Sequence, residues 1–246
     1  MTKGKWQKVI RKSHRYLGLF LGIQFLFWTI GGFYFSWTNI KNIRGEDIRK
    51  EPITINKEKL GISLNGILTE ISKSDSVYFL KSLQIANIFD TPYYQITFYN
   101  GKRIKTILAN TLTNQIRLPI SENEAIMIAK NSLNVKSNLK SIEYINSTNG
   151  HHEYREKPLP AYAVSFEGNA NTTVYVSAEL GTVQTYRNNR WRVFDFLWML
   201  HVMDYQNRDN INNWFLRIFS VIGLITLASG FILFGLTQKL PRKHRS

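Results

Sequence analysis

Histidine is the residue of this sequence best suited to metal chemistry, because the chain contains five histidines and no cysteine. His14 begins a long apolar run within RKSHRYLGLFLG, and His201 lies in the apolar stretch RWRVFDFLWMLHVMDY. Neutral imidazole is the commonest metal ligand in proteins, and a nearby carboxylate such as Asp204 often orients it. His14 and His201 are therefore the two candidate cofactor ligands.

The remaining histidines lie in polar surroundings. His151 and His152 sit in NGHHEYREKPLP, where an exposed hairpin loop is the favoured interpretation because no third metal ligand is placed by spacing. His244 lies in a basic tail and is predicted to be solvated. No Ser–His–Asp or Cys–His constellation, phosphate loop or apolar carboxylate pair is found, so hydrolysis is disfavoured and no dedicated metal site is predicted.

His14 also begins a small, polar helix face. Helical steps of three and four from His14 reach Gly18, Gly22, Phe25, Thr29, Gly32 and Ser36. The spacing of Gly18 and Gly22 allows another helix, or a flat macrocycle, to approach the backbone closely. We predict a packing face of Gly18, Gly22, Thr29 and Gly32, with a weaker counterpart at Ser220, Gly223, Leu227 and Gly230. Helix–helix packing alone explains both faces.

Two segments are long and apolar enough to cross a membrane. Tyr16–Trp37 carries no charge and Trp214–Leu236 carries only Arg217, so each predicts a helix of roughly 33–35 Å. Much of the net charge of +15 lies in the tails 1–15 and 237–246, which argues against nucleic-acid binding. The positive-inside rule predicts an uncleaved, two-pass inner-membrane protein with cytoplasmic termini and a periplasmic central domain.

The central segment reads as two similar α+β units, 38–118 and 119–190, followed by an interfacial apolar helix at 191–205. Each unit has a helical pattern, KEKLGISLNGILTEI in the first and SENEAIMIAKNSL in the second, where Ser121 and Glu124 form a capping box. Alternating strands follow, and NTLTNQI (110–116) aligns with SAELGTV (177–183). The matched strand residues are Tyr94, Ile96 and Phe98 with Tyr162, Val164 and Phe166. Each unit is predicted to be a helix on an antiparallel sheet.

A helix, strands and a closing turn of the type Asp-x-x-Thr-Gly-x-Val resemble the PepSY domain. With HRYLGLFLG opening the first span, the chain resembles the PepSY-associated transmembrane family, as a short two-span member. It departs from the family at the turn, where Asn110 and Ser177 replace aspartate and Asn114 replaces one glycine. Many members of the family also have four spans.

The resemblance implies an inner-membrane protein associated with iron or siderophore uptake, with b-type haem in some relatives. His14 and His201 would be haem ligands in trans, because the membrane thickness of roughly 30 Å separates them within one chain. A homodimer, or assembly into a larger membrane complex, would supply the missing ligands. The alternative is a non-catalytic, membrane-anchored PepSY module that binds a protein partner or modulates a protease.

Overall fold

The computed structural model describes residues 3–51, 54–55, 64–74, 79–168 and 170–237. The chain forms two compact units. The helical unit comprises Met1–Thr38 with Val193–Ser246, and the sheet unit comprises Asn39–Arg192. The predicted second tail (237–246) and the first half of the predicted first-unit helix lie almost wholly outside the described residues, as do Gly61 and His244.

The helical unit contains two helices long and apolar enough to cross a membrane, α1 (Lys3–Trp37) and α6 (Trp214–Thr237). The apolar spans predicted at 16–37 and 214–236 both lie within these helices. The basic segment 1–15 was predicted to be a tail, but its residues from Lys3 onward continue α1. Helix propensity explains this difference, since lysine, arginine and glutamine are good helix formers and neither proline nor a cap interrupts the stretch.

α5 (Asn189–Val202) covers most of the segment 191–205, which was predicted to be an interfacial helix, and it ends three residues earlier than expected. Met203 has a left-handed backbone (φ +55°), which stops the helix. Asp204 follows and accepts backbone hydrogen bonds from Gln206, Asn207 and Asn210. Tyr205 therefore lies outside the helix and does not share the face formed by the aromatic residues of α5.

The sheet unit contains two four-stranded antiparallel sheets with the orders β1-β2-β3-β4 and β5-β6-β7-β8. The first is preceded by α2 (Ile40–Ile43), a 3₁₀ turn (Glu46–Ile48) and α3 (Leu64–Ser74). In chain order, α4 (Glu122–Ser132) follows the first sheet and precedes the second. The strands are β1 (Phe79–Ile88), β2 (Thr91–Asn100), β3 (Arg103–Asn110), β4 (Ile116–Arg117), β5 (Leu139–Ile145), β6 (Ala161–Phe166), β7 (Thr173–Ser177) and β8 (Val183–Arg187).

Each sheet buries one face against a helix. In the first, Ile67 and Ile71 of α3 pack on Ile96, Phe98 and Ala109. In the second, α4 covers β6, β7 and β8 through a cluster comprising Ala125, Ala129, Val164, Phe166, Val174, Val176 and Tyr186. The predicted strand faces are thus the ones that are buried, which is why the period-two pattern located them correctly.

The N-terminus of α4 has the predicted capping box. Ser121 Oγ accepts the backbone N–H of Glu124, and the Glu124 carboxylate accepts the backbone N–H of Ser121 at 2.9 Å. The hydrogen bond from the backbone N–H of Ser121 has the largest effect and lowers the pKa of Glu124. The charge and hydrogen bond of Arg117 lower it further, and together these effects outweigh burial, which raises it. The box fixes the point at which the chain leaves the first sheet and enters the second unit.

The two sheets end in turns with the same hydrogen bonds. The backbone N–H of Asn110 donates to Gln115 O at 3.0 Å, and that of Ser177 donates to Thr182 O at 3.1 Å. Asn114 (φ +61°) and Gly181 (φ +59°) are both left-handed. The side chains of Asn110 and Ser177 both accept backbone N–H groups within their own turns, as an aspartate would.

The first residues of the predicted first unit pack on the second sheet instead. A Cβ atom on Gly45 would lie 3.1 Å from Tyr186 Cβ, and Lys50 N donates to Ser132 O at 2.9 Å. Residues 39–50 therefore pack with the second sheet and its helix α4. The order of the two predicted units along the chain did not indicate that residues 39–50 return to the second sheet. That packing depends on the close approach of Gly45 to Tyr186.

Gly181→Ala should destabilise the protein more than Gly101→Ala. Both positions are left-handed, which costs an alanine about 1–2 kcal/mol. A Cβ on Gly181 would lie 2.5 Å from Ile88 Cδ1, whereas a Cβ on Gly101 meets nothing within 4 Å. Thermal unfolding of the detergent-solubilised chain, followed by circular dichroism, measures both losses. Equal losses would contradict close contact between the turn and Ile88.

Candidate functional site

His14 forms a polar link between the two long helices of the helical unit. Its Nδ1 lies 2.8 Å from Ser229 Oγ and 3.2 Å from Thr226 O. The Ser229 hydroxyl donates to Thr226 O at 2.7 Å, so Ser229 Oγ can accept a hydrogen bond from the ring N–H. The network therefore assigns the proton to Nδ1 and leaves Nε2 without a hydrogen bond to any described residue.

Gly230 provides the space for this link. A Cβ atom there would lie 3.1 Å from His14 Cε1. The imidazole consequently lies directly against the backbone of α6, in a contact that any larger residue would disturb. The histidine at the start of the apolar run is thus a tertiary contact of the helix pair.

The face of α1 that contacts the rest of the unit differs from the predicted glycine face. The buried positions of α1 are Leu21, Gln24 and Gly31, at heptad-like spacing after His14. By contrast, Gly22, Thr29 and Gly32 are exposed and Gly18 is only half-buried. A Cβ on Gly18, Gly22 or Gly32 would meet nothing within 4 Å. On α6, Gly223 is buried and Gly230 packs against His14, but Ser220 and Leu227 are exposed.

Two side chains of α1 cap the carboxyl end of α5. Gln24 Nε2 donates to Leu200 O at 2.8 Å, and Trp28 Nε1 donates to His201 O at 2.9 Å. Asn213 Nδ2 adds a third bond, to Val202 O, at 2.8 Å. These carbonyls have no partner within a helix, and leaving one buried without a bond costs about 1–3 kcal/mol. The caps fix α5 on α1.

His201 lies among aromatic rings. Its ring stacks on Trp198 at 6.1 Å and 11°, and contacts the rings of Trp28 and Phe35 at 5.9 Å. Its Nδ1 is buried and has no hydrogen-bond partner among the described residues. Asp204 was predicted to orient this histidine, but its carboxylate is used by the following turn. Burial opposes ionisation of Asp204, but the hydrogen bonds from the backbone N–H groups of the turn have the larger combined effect. The pKa of Asp204 is therefore lowered.

The two candidate histidines lie at different levels of α1. His14 contacts α6, whereas His201 packs beside Trp28, fourteen residues further along α1. At 1.5 Å per residue this separation is about 21 Å along the helix. One chain therefore cannot supply both histidines to one metal ion.

In the sheet unit, the loop with the adjacent histidines is ordered by local hydrogen bonds. Asn149 Oδ1 accepts the backbone N–H groups of His151 and His152 at 3.0 Å. His152 Nδ1 accepts the N–H of Tyr154, so this nitrogen serves the loop. His151 is exposed. The bonding pattern is that of a structured loop, and it assigns no ligand role to either residue.

Glu153 anchors the same loop to the second sheet. Its carboxylate accepts a hydrogen bond from the Tyr175 hydroxyl at 2.8 Å. It also binds the Arg192 guanidinium in a bidentate manner, at 2.8 and 2.9 Å. Burial, followed by the charge of Glu153, raises the pKa of Tyr175. Burial also raises the pKa of the stacked Tyr154 to about 12. Both phenols are therefore neutral, and the cluster is a fixed wall of the second sheet.

A cationic groove of about 470 Å³ lies beside this wall. It is lined by Arg44, Glu46, Arg49, Lys157, Val183, Gln184, Thr185, Tyr186, Arg187 and Trp191. Four of these residues are cationic and only Glu46 is acidic. Arg44, Arg49 and Lys157 are exposed, and none of the three forms an ion pair with another residue that the structure describes. The arrangement suits an anionic ligand.

Arg187 and Trp191 form the ordered end of this groove. The Arg187 guanidinium lies 3.9 Å from the centroid of the Trp191 ring, and its Nε donates to Glu153 O at 2.8 Å. Stacking and hydrogen bonding hold this charge in place before any ligand arrives. Sequence reasoning did not predict the groove, because its four cations come from three separate segments that no single stretch of sequence brings together.

Gly230→Ala should weaken the association of α1 with α6, whereas Gly235→Ala and Gly22→Ala should not. Alanine is favoured over glycine in a helix by up to about 1 kcal/mol at every position. Only at Gly230 does the new Cβ meet His14, at 3.1 Å from Cε1. We expect a thermal midpoint in detergent that is lower for Gly230→Ala than for either control. Parallel shifts in all three variants would contradict the His14 contact.

Comparison with known proteins finds no matching family model, no matching curated protein and no matching solved structure.

Proposed function

We propose that this chain is a PepSY-type inner-membrane protein whose periplasmic sheet unit binds an anionic partner while the two long helices anchor it. The cationic groove carries this proposal, with four cations and a single carboxylate around about 470 Å³. Guanidinium and ammonium groups bind carboxylates and phosphates without exchanging protons with them. The groove is thus suited to recognition, and the function is that of a non-catalytic binding module.

The PepSY assignment is supported by the repetition within the sheet unit. A helix followed by a four-stranded antiparallel sheet occurs twice. The hydroxyl pair of Thr97 and Thr106 in the first sheet has a counterpart in Ser165 and Thr173 in the second, both at 3.0 Å. The matched closing turns continue the correspondence. Such repetition is expected of a duplicated domain.

Reversing the groove charges should weaken binding of an acidic peptide. The full chain in zwitterionic nanodiscs is titrated with a fluorescent peptide containing a run of glutamates. Arg44→Glu with Arg49→Glu should weaken binding about tenfold or more, with a marked salt dependence. The control, Lys102→Glu with Arg103→Glu, changes the net charge equally at exposed positions in the first sheet. Equal losses in both variants, or no binding by the parent chain, would overturn the proposal.

A second candidate function is that of a b-haem electron-transfer component in iron or siderophore uptake. The orientation of His14 favours it, since an Nδ1 held by a hydroxyl and a carbonyl leaves Nε2 available, as in metal-bound histidines. Gly18 and Gly22 follow His14 at helical spacing, and a Cβ on either would meet no atom of the described residues within 4 Å. His14 from two copies would hold the haem in a homodimer. The haem would supply one-electron transfer.

An absorption spectrum tests this second function. Protein purified from haem-replete cells, reduced minus oxidised, should have a Soret difference band if His14 is a ligand. His14→Ala should remove or weaken the band, and the exposed His151→Ala should leave it unchanged. A parent protein without a band, or a band insensitive to His14→Ala, would contradict haem binding at this histidine.

A further inference from the structure

β8 is an edge strand of the second sheet. The strand order β5-β6-β7-β8 gives it β7 as a neighbour on one side, and within the described part of the chain no strand pairs with its other side. An edge strand presents backbone N–H and C=O groups that can pair with an added chain. Its five residues, Val183–Arg187, extend over about 17 Å.

The cationic groove runs along this edge. Its lining includes all five consecutive residues of β8. Tyr186 faces the core formed with α4, whereas Arg187 and Thr185 are joined to each other on the opposite face. The groove is thus lined by residues from both faces of this edge strand. We therefore take the backbone of β8 as the floor of the groove.

Cations stand on both sides of that floor. Arg44 precedes Gly45, which packs against Tyr186 on the α4 side of the sheet, and Arg49 follows Gly45 by four residues. Arg187 lies on the opposite side, where its Nε donates to Glu153 O, and Lys157 also lines the groove. Side chains of an extended segment alternate between the two faces of a sheet. A segment lying on this floor would thus direct successive side chains toward cations on one side and then on the other.

We infer that the groove takes an extended acidic segment of a partner protein, which adds to the second sheet as a strand beside β8. Consecutive acidic residues satisfy the charges on both sides, and main-chain hydrogen bonds to β8 supply the rest of the affinity. This inference rests on the proposed binding function, and it specifies the partner as an acidic stretch in extended conformation. The charge complementarity and the open backbone edge together select this occupant.

Two N-methylated peptides of equal charge separate strand addition from simple charge attraction. A peptide with a run of glutamates and alternate N-methyl groups keeps one hydrogen-bonding edge, whereas methylation of every amide in the run leaves neither edge. Each is titrated into the full chain in zwitterionic nanodiscs by fluorescence polarisation. We expect the alternate peptide to bind within about threefold of the unmodified peptide and the fully methylated peptide to lose about tenfold or more.

Equal binding of both methylated peptides would overturn strand addition while leaving an anionic site intact. Citrate that competes as well as the peptide at the same concentration would identify a small-anion site and would also overturn it. Competition by anionic-lipid vesicles, but not by neutral vesicles, would assign the groove to lipid headgroups instead. Absence of binding by the unmodified peptide would remove the proposed function itself, so the two failures are distinguishable.

Discussion

The need of backbone N–H and C=O groups for hydrogen-bond partners governs both units of this protein. In the helical unit, the carbonyls at the end of α5 are bonded by Gln24, Trp28 and Asn213. An apolar environment offers no water to replace those donors, so the three side chains determine where α5 lies on α1. At the outer edge of β8, where no strand of the described residues pairs, the same requirement is the basis of the proposed recognition surface.

The closing turns show how the same requirement tolerates sequence change. Asn110 and Ser177 replace the aspartate typical of the turn that the chain resembles, and each still accepts backbone N–H groups from its own turn. Asn114 takes a left-handed conformation that Gly181 takes more easily. What matters at these positions is a short acceptor and a permissive backbone. The turn is therefore retained in both sheets although its residues differ.

Local signals predicted the local structure well. Ser121 and Glu124 placed the start of α4 correctly, and the alternation around Ile96 and Val164 placed two central strands, because these patterns act within a few residues. The glycine spacing on α1 did not indicate which helix lies beside α1 within this chain. Small residues permit close approach, but they do not determine which neighbour arrives, and α6 contacts α1 through His14, Phe20 and Phe25.

The groove could not be predicted because its residues meet only in the folded chain. Arg49 and Arg187 are far apart in sequence and converge because the segment before α3 returns to the second sheet at Gly45. The edge position of β8 is equally a property of strand order. Neither feature leaves a short-range trace in composition or periodicity.

The contact between His14 and Ser229 has a consequence for the bilayer. It sets antiparallel helices in a register where Trp214, at the start of α6, lies level with about residue 29 of α1. The apolar stretches of the two helices, of which the second carries Arg217, then overlap over only roughly 14 residues, or about 21 Å. A hydrocarbon core is about 30 Å thick, so Arg11, Lys12 and Arg15 lie level with apolar turns of α6. Their side chains must reach toward the headgroups, or the lipid must thin around the pair. A polar link between two helices thereby shortens the apolar belt that this helix pair presents.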